Sequence, residues 1–477
     1  MSAVEQPSTA AQFGALDRPT VLLGLGPVQV GFVGVAVLIA VSAVYTTGAA
    51  GFAASALLWG PLLAVGTISV KGRPVVEWIP LVASWQVRSL SGRTRALTQP
   101  TTTARPSELV LPGIAGRLRV LTSPAGTAMI ADRRSGTVTA IARVSSTGFV
   151  LDDPQTQDRK STGWGRVLGM VCQQPQVVRV QVLNRTAPGG AGTARAWWRA
   201  HTSETAPWAA RLLADLMDHA ADECDTNECL IAISTRTTRN VAGRTRTDQG
   251  AALDQLATSL SSALGAADLH VTAWVTPADL GAVIRRAYDP AGTATADDTD
   301  PTLTHRLLGP MGVQEHWDHL VTDTAVHATY WVAQWPRSPM HQTFLQPLIL
   351  APGSHRTVTL IAEPMPAARA LREIRRAKVE YLADAGHRAK VGQIEDETAN
   401  AAYAEVLRRE QDLISGHGDY RFTGLITVTA PTAGDLETAC GATETAAAQA
   451  MCELRRLVGQ QGQAHLAAAL PLARGLL

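Results

Sequence analysis

The chain has 477 residues, of which 46% are hydrophobic and 17% charged, with a formal net charge of +1. That length suits two or three domains, and the near-neutral charge argues against a molecule built for direct sequence-specific nucleic-acid binding, whose footprint is a marked basic excess. Five cysteines at irregular spacing are not a disulfide framework and point to a reducing compartment.

From Arg18 to Lys71 the chain runs 52 residues without Asp, Glu, Lys or Arg. A helix crosses the hydrocarbon core in about 20 residues, so the run is too long for one span and suits two. The spacing predicts a transmembrane helical hairpin within residues 21–70, after a cytoplasmic tail over 1–20. Its spans are Pro27–Tyr45 and Gly51–Val70, joined by Thr46-Thr47-Gly48 and anchored by Val28, Phe32, Tyr45, Phe52 and Trp59. No positive n-region and no clear processing site accompany the run, which reads as a retained anchor. Lys71, Arg73, Arg88, Arg93 and Arg95 follow it with only Glu77 against them. By the positive-inside rule, both termini and the main domain are expected on the cytoplasmic side of the inner membrane.

Residues 71–106 read as a juxtamembrane segment. Trp78, Ile79, Val82 and Trp85 recur at helical spacing with Arg residues opposite, as in an interfacial helix or an ordinary packed one. Thr98–Pro106 is the expected linker. Residues 107–190 have the texture of short strands, with a hairpin turn at Arg133-Arg134-Ser135-Gly136, a short helix over Trp164–Gln173 and a strand over 177–185. From 191 to 477 strands and helices alternate, giving an α+β (α/β) class. Trp208–Asp222 places Leu212, Leu213, Leu216 and Ala220 on one helical face. Ala367–Ile414 is expected to be a helical pair broken near Gly386 or Gly392. The last helix opens at Asp435 and carries Leu436, Cys440, Thr443, Ala447, Met451, Leu454 and Val458.

Chemistry-bearing motifs are sparse. The four lysines, Lys71, Lys160, Lys378 and Lys390, none of them between Gly and Ser or Thr, exclude a P-loop. There is no GxSxG elbow. Cys224 and Cys229 lack a second ligand pair for zinc, and Cys172, Cys440 and Cys452 read as simple thiols. In Glu315-His316-Trp317-Asp318-His319, a helical reading puts His316 and His319 on one face, with Asp323 and His327 further along. That spacing supports either a metal-dependent hydrolase or a polar helix face. Arg236, Arg239, Arg244 and Arg246 fall in one polar loop that reads as a grip for phosphate, an acidic partner or lipid headgroups, or as a solvated loop. No cofactor, no metal and no enzymatic activity are expected.

Two stretches resemble known families. The hairpin followed by Gly72-Arg73-Pro74 resembles the small PrgI-like membrane subunits of type IV secretion and conjugation systems. The segment GLITVTAP, a helix, and then LVGQQGQAHLAAALPL, with Gln461, Leu470, Pro471 and Leu472, is similar to the end of the non-ATPase N-terminal domain of large type IV secretion ATPases. In that family the segment leads into a motor, whereas Leu477 lies five residues after Leu472, so the expectation is a hairpin fused to the adaptor domain without the motor. The resemblance implies a fused protein of the kind typical of actinobacterial conjugative elements, a scaffold in an oligomeric complex whose partners are a separate secretion or conjugation ATPase and other inner-membrane channel subunits. A core membrane component of type VII secretion is the alternative of the same general class.

Overall fold

The computed structural model describes residues 26–70, 73–97, 108–188 (except 113, 115–117 and 147), 198, 200–202, 207–220, 225–237, 246–290, 309–351 (except 337 and 339), 353, 355–391 and 397–475. The chain divides into two compact units, Ala15–Thr94 and a larger one formed by Met1–Gly14 with Arg95–Leu477. The expected linker at Thr98–Pro106 lies outside the described residues.

In the smaller unit, helix α1 (Pro27–Thr46) and helix α2 (Gly48–Thr67) are each long and apolar enough to cross a membrane. Gly48 separates them with φ 66°, a left-handed conformation that glycine adopts without steric cost. At the other end of the pair the helices touch. A Cβ on Gly66 would stand 2.8 Å from Val33 Cγ2, so only glycine fits. Gln29 Nε2 donates to the Gly66 carbonyl at 3.0 Å, and Gln29 Oε1 accepts from the Gly26 amide at 2.9 Å. A short ladder of β1 (Ser69–Val70) with β2 (Arg73–Pro74) leads into α3 (Val75–Leu90). No residue of α3 is buried, and Trp78 and Trp85 are half-exposed.

The larger unit begins with β3 (Arg95–Leu97) and then builds one long sheet from two copies of the same pattern. The first copy has outer strands β4 (Glu108–Leu109), β5 (Leu118–Thr122) and β6 (Ala128–Asp132). It continues as β7 (Thr137–Ser146), α4 (Pro154–Cys172), β8 (Val177–Pro188), α5 (Trp208–Ala220), β9 (Asp225–Arg236), α6 (Arg246–Gly265), β10 (Leu269–Trp274) and α7 (Leu280–Tyr288). The second has outer strands β11 (Gly312–Glu315) and β12 (Leu320–Val321). It continues as β13 (Val326–Gln334), α8 (Gln346–Leu350), β14 (His355–Met365), α9 (Ala367–Val391), α10 (Glu397–Ile414), β15 (Asp419–Ala430), α11 (Ala433–Gln449), β16 (Glu453–Arg456) and α12 (Gln461–Ala469).

Each copy is a split βαβ motif. In the first, β9 lies between β7 and β8, and β10 flanks β7. In the second, β15 lies between β13 and β14, and β16 flanks β13. The copies join where β8 pairs with β14, Val182 opposite Leu360, so one sheet runs through both. Every pairing among the described strands is antiparallel, which makes the unit α+β. The strands of 107–190 and of 191–477 share this sheet, so the fold divides between the repeats and not at residue 190.

Both faces of the sheet are covered. On one, Ile141, Leu183 and Leu230 pack with Leu280, Val283 and Ile284 of α7 and Leu466 of α12. On the other, Ala142, Val180, Ile231 and Ile233 pack with Val167 of α4 and Leu253, Leu256, Leu260 and Leu264 of α6. Double coverage is why Leu230–Ser234 reads as a continuous run without polar alternation.

Two local expectations are corrected. The short helix expected at Trp164 starts at Pro154, because the Asp153 carboxylate caps the Thr156 amide at 3.1 Å. The helix expected to open at Asp435 is capped by Thr432 and stops at Gln449, so Met451, Leu454 and Val458 are not on it. Met451 has φ 54°, and Leu454 belongs to β16. The helical pair is present as α9, ending at Val391 next to Gly392 with Gly386 inside it, and α10 from Glu397; residues 392–396 lie outside the described residues.

Gln181 on β8 ties the chain end to the seam. Its amide donates to the Ala467 and Leu470 carbonyls at 3.1 and 3.0 Å and accepts from the Ala473 amide at 2.7 Å. Gln181→Leu leaves these buried groups unpaired and is expected to destabilise the chain by roughly 3 kcal/mol. Lowered midpoints in thermal and urea unfolding of the detergent-solubilised protein are the check.

Candidate functional site

The segment that carries the family resemblance is internal scaffolding. Gln461 is fully buried and grips β13 on both sides of one residue, accepting from the Thr329 amide at 2.9 Å and donating to the Thr329 carbonyl at 3.3 Å. Its amide also donates to the Leu457 carbonyl at 3.0 Å. Glu315 accepts from the Gly462 amide at 3.0 Å, placing a carboxylate at the start of α12, where the helix dipole favours it. Leu470, Pro471 and Leu472 are buried, and Thr139 Oγ1 donates to the Leu472 carbonyl at 3.3 Å. Arg474 then pairs with Asp132 at 2.8 Å.

The expected helical face of histidines does not form. His316–His319 is the turn between β11 and β12, closed by the His316 amide donating to the His319 carbonyl at 2.8 Å. The two imidazoles stack in parallel, with centroids 4.4 Å apart and planes 8° apart. Rings so stacked direct their lone pairs side by side rather than onto one point. Asp323 is spent on the Met311 and Gly312 amides, and His327 is buried on β13. A strand pair prevails because Leu320 and Val321 pair with His327 and Val326. Among the described residues no group of three or more His, Cys, Asp or Glu side chains is placed to hold a metal ion.

Of the arginine loop, Arg236 is exposed at the end of β9, and Arg246 is the first residue of α6. Arg239 and Arg244, like Cys224 and Lys71, lie outside the described residues. Lys160, inside α4, donates to the Gly148 carbonyl at 2.8 Å and pairs with Asp152 at 2.7 Å. Burial, with the Glu228 carboxylate beside it, pushes the Cys229 thiol up to about 11, and burial pushes Cys452 up to about 11. Burial also raises Cys172 and Cys440, so these four thiols stay protonated at neutral pH.

Two buried polar clusters escape linear reading. The first holds His327, His465 and Tyr288, with His465 centroids 4.4 Å from His327 and 5.0 Å from Tyr288. His327 is satisfied by Thr322 at 3.0 Å and Thr429 at 2.8 Å, whereas neither ring nitrogen of His465 makes a well-formed hydrogen bond. Burial drives both imidazoles down, His327 to about 3.

The second cluster gathers four elements around one carboxylate. Glu228 of β9 meets Arg143 of β7 at 3.2 Å, Arg185 of β8 at 3.1 Å and Arg286 of α7 at 3.4 Å. Arg185 also donates to the Ala469 carbonyl at 2.9 Å. Linear spacing gives no signal for it, since the four residues are scattered between 143 and 286. Comparison with known families finds no match to this chain, and comparison with curated proteins finds none either.

The histidine cluster sets a pH dependence. Both folded-state pKa values lie below the ordinary 6.5, so above that value both states are neutral and stability is complete. As pH falls below 6.5 the unfolded chain takes up protons that the fold refuses, and stability is lost. For His327 the loss at pH 5 is ~2 kcal/mol, and His465 adds to it in the same direction. His465→Leu, which gives up no well-formed hydrogen bond, is expected to reduce the drop in thermal midpoint between pH 7.5 and pH 5.

Proposed function

We propose that this protein is a non-enzymatic, membrane-anchored scaffold of a type IV secretion or conjugation machine that docks a separate transport ATPase at the inner membrane. The hairpin α1–α2 holds the chain in the bilayer with both termini and the larger unit on the cytoplasmic side, and the larger unit presents surfaces to the ATPase and to neighbouring channel subunits. The reading is carried by one observation: the joined repeats carry helices inserted at corresponding places, α5 between β8 and β9 and α9–α10 between β14 and β15, with apolar side chains left in solvent.

On α5, Trp208, Leu212 and Leu216 are 71%, 51% and 57% exposed, four residues apart along one stripe. On α9 and α10, Val379, Leu382 and Ile414 are likewise exposed, beside Tyr381 and Tyr403 packed edge to face. Such stripes mark protein contacts. The resemblance of the Gln461–Leu472 segment to the adaptor domain of secretion ATPases supplies the class of partner.

The test is co-purification of the protein with the P-loop ATPase encoded beside it. The triple variant Trp208→Ala, Leu212→Ala, Leu216→Ala is expected to keep its unfolding midpoint and to lose ATPase binding by about 30-fold, the loss of one tryptophan-centred hot spot. Failure of the unmodified protein to recover any such ATPase overturns the reading. Proteolysis of sealed vesicles tests the topology: the chain after Arg95 is expected to be cut from the cytoplasmic side, and protection there reverses the assignment.

A further inference from the structure

The Glu228 cluster carries more positive charge than its own carboxylate neutralises. Three guanidinium groups, Arg143, Arg185 and Arg286, converge on Glu228, which is the only carboxylate at ion-pair distance from them among the described residues. The surplus is two charges. Like charges gathered this closely repel one another unless a counter-ion is supplied.

The hydrogen bonding is also incomplete. The Nε of Arg185 and the Nε of Arg143 are buried without a partner, and Arg185 is 95% buried by virtue of its 5% exposure. Buried donors of a native fold are normally satisfied, so orphans in one cluster point to a missing acceptor. Access to the cluster is open. The Arg143 and Arg286 side chains are 37% and 42% exposed and form a rim, while Arg185 at 6% and Glu228 at 13% form the floor.

The second repeat has a different layer beneath α12: Ile361, Leu425, Leu457, Ala464, Ala467 and Ala468 pack there with Trp331 beside them, together with Gln461, Thr329 and Thr359. Among the described residues the convergence of three arginines on one carboxylate is found in the first repeat.

We propose that Arg143, Arg185, Glu228 and Arg286 form a binding site for a phosphate group, either free or as a phosphomonoester. A dianion matches the two surplus charges, and guanidinium forks suit the tetrahedral oxyanion through paired N–H donors. The phosphate sits on Arg143 and Arg286 at the rim. Arg185 holds Glu228 beneath it, and Glu228 competes with the ligand for the same guanidinium groups.

The experiment titrates the detergent-solubilised full chain with inorganic phosphate and, separately, with adenosine monophosphate, against sodium chloride at matched ionic strength, reading heat and thermal midpoint. Saturable binding with a rise in midpoint is expected. Binding to phosphate alone identifies the free ion, and tighter binding of the monophosphate identifies an ester. Arg286→Gln, on an exposed side chain, is expected to weaken binding at least tenfold, and Arg166→Gln, exposed on α4 outside the cluster, to leave it unchanged. Glu228→Gln separates this site from a merely structural network: removing the competing carboxylate is expected to tighten binding about tenfold even as it lowers the midpoint of the unliganded protein. Absence of saturable binding, or weaker binding by Glu228→Gln, overturns the proposal.

Discussion

The larger unit depends on the pairing of β8 with β14. Each repeat taken alone would end at that strand, leaving a row of unpaired backbone amides and carbonyls open to other chains. Joined antiparallel from Val180 opposite Ala362 to Thr186 opposite Arg356, the two edges satisfy one another and a single sheet results. Helix α12 lies over the junction, with Leu466 and Ala469 in one repeat's core and Ala464, Ala467 and Ala468 in the other's. Its run of alanines lets the helix backbone come close enough for sheet side chains to reach it: Gln181, Thr359 and Arg185 all donate to carbonyls of its last turn.

Those polar contacts fix position where apolar packing alone would tolerate sliding. A slip of one residue along β8 would turn Gln181 to the opposite face and leave the Ala473 amide and two carbonyls without partners inside the protein. Gln461 does the same for β13 at Thr329. The chain between these two glutamine contacts is therefore held at both ends, which is why so conspicuous a sequence segment is buried.

The smaller unit solves a different problem. Its two helices are long and apolar enough to cross a membrane, and a pair of such helices is held by close backbone approach and a few polar contacts. Gly66 against Val33 supplies the approach and Gln29 the hydrogen bond, both far along the chain from the turn at Gly48.

Much of the organisation was legible in one dimension. The uncharged run, its break near Gly48, the strand at 177–185, and the helical character of 208–220 and 367–414 follow from charge, periodicity and turn chemistry, which are local properties. Local properties failed at Glu315–His319, where a helical spacing of histidines was overruled by pairing with a strand, and at Met451, where a continuing apolar period concealed a left-handed turn. The duplication, the seam between β8 and β14 and the gathering of Arg143, Arg185, Glu228 and Arg286 were decided only by the tertiary structure. Each depends on contacts between residues tens to hundreds of positions apart, and nothing in their linear spacing records which distant strand a given strand will choose.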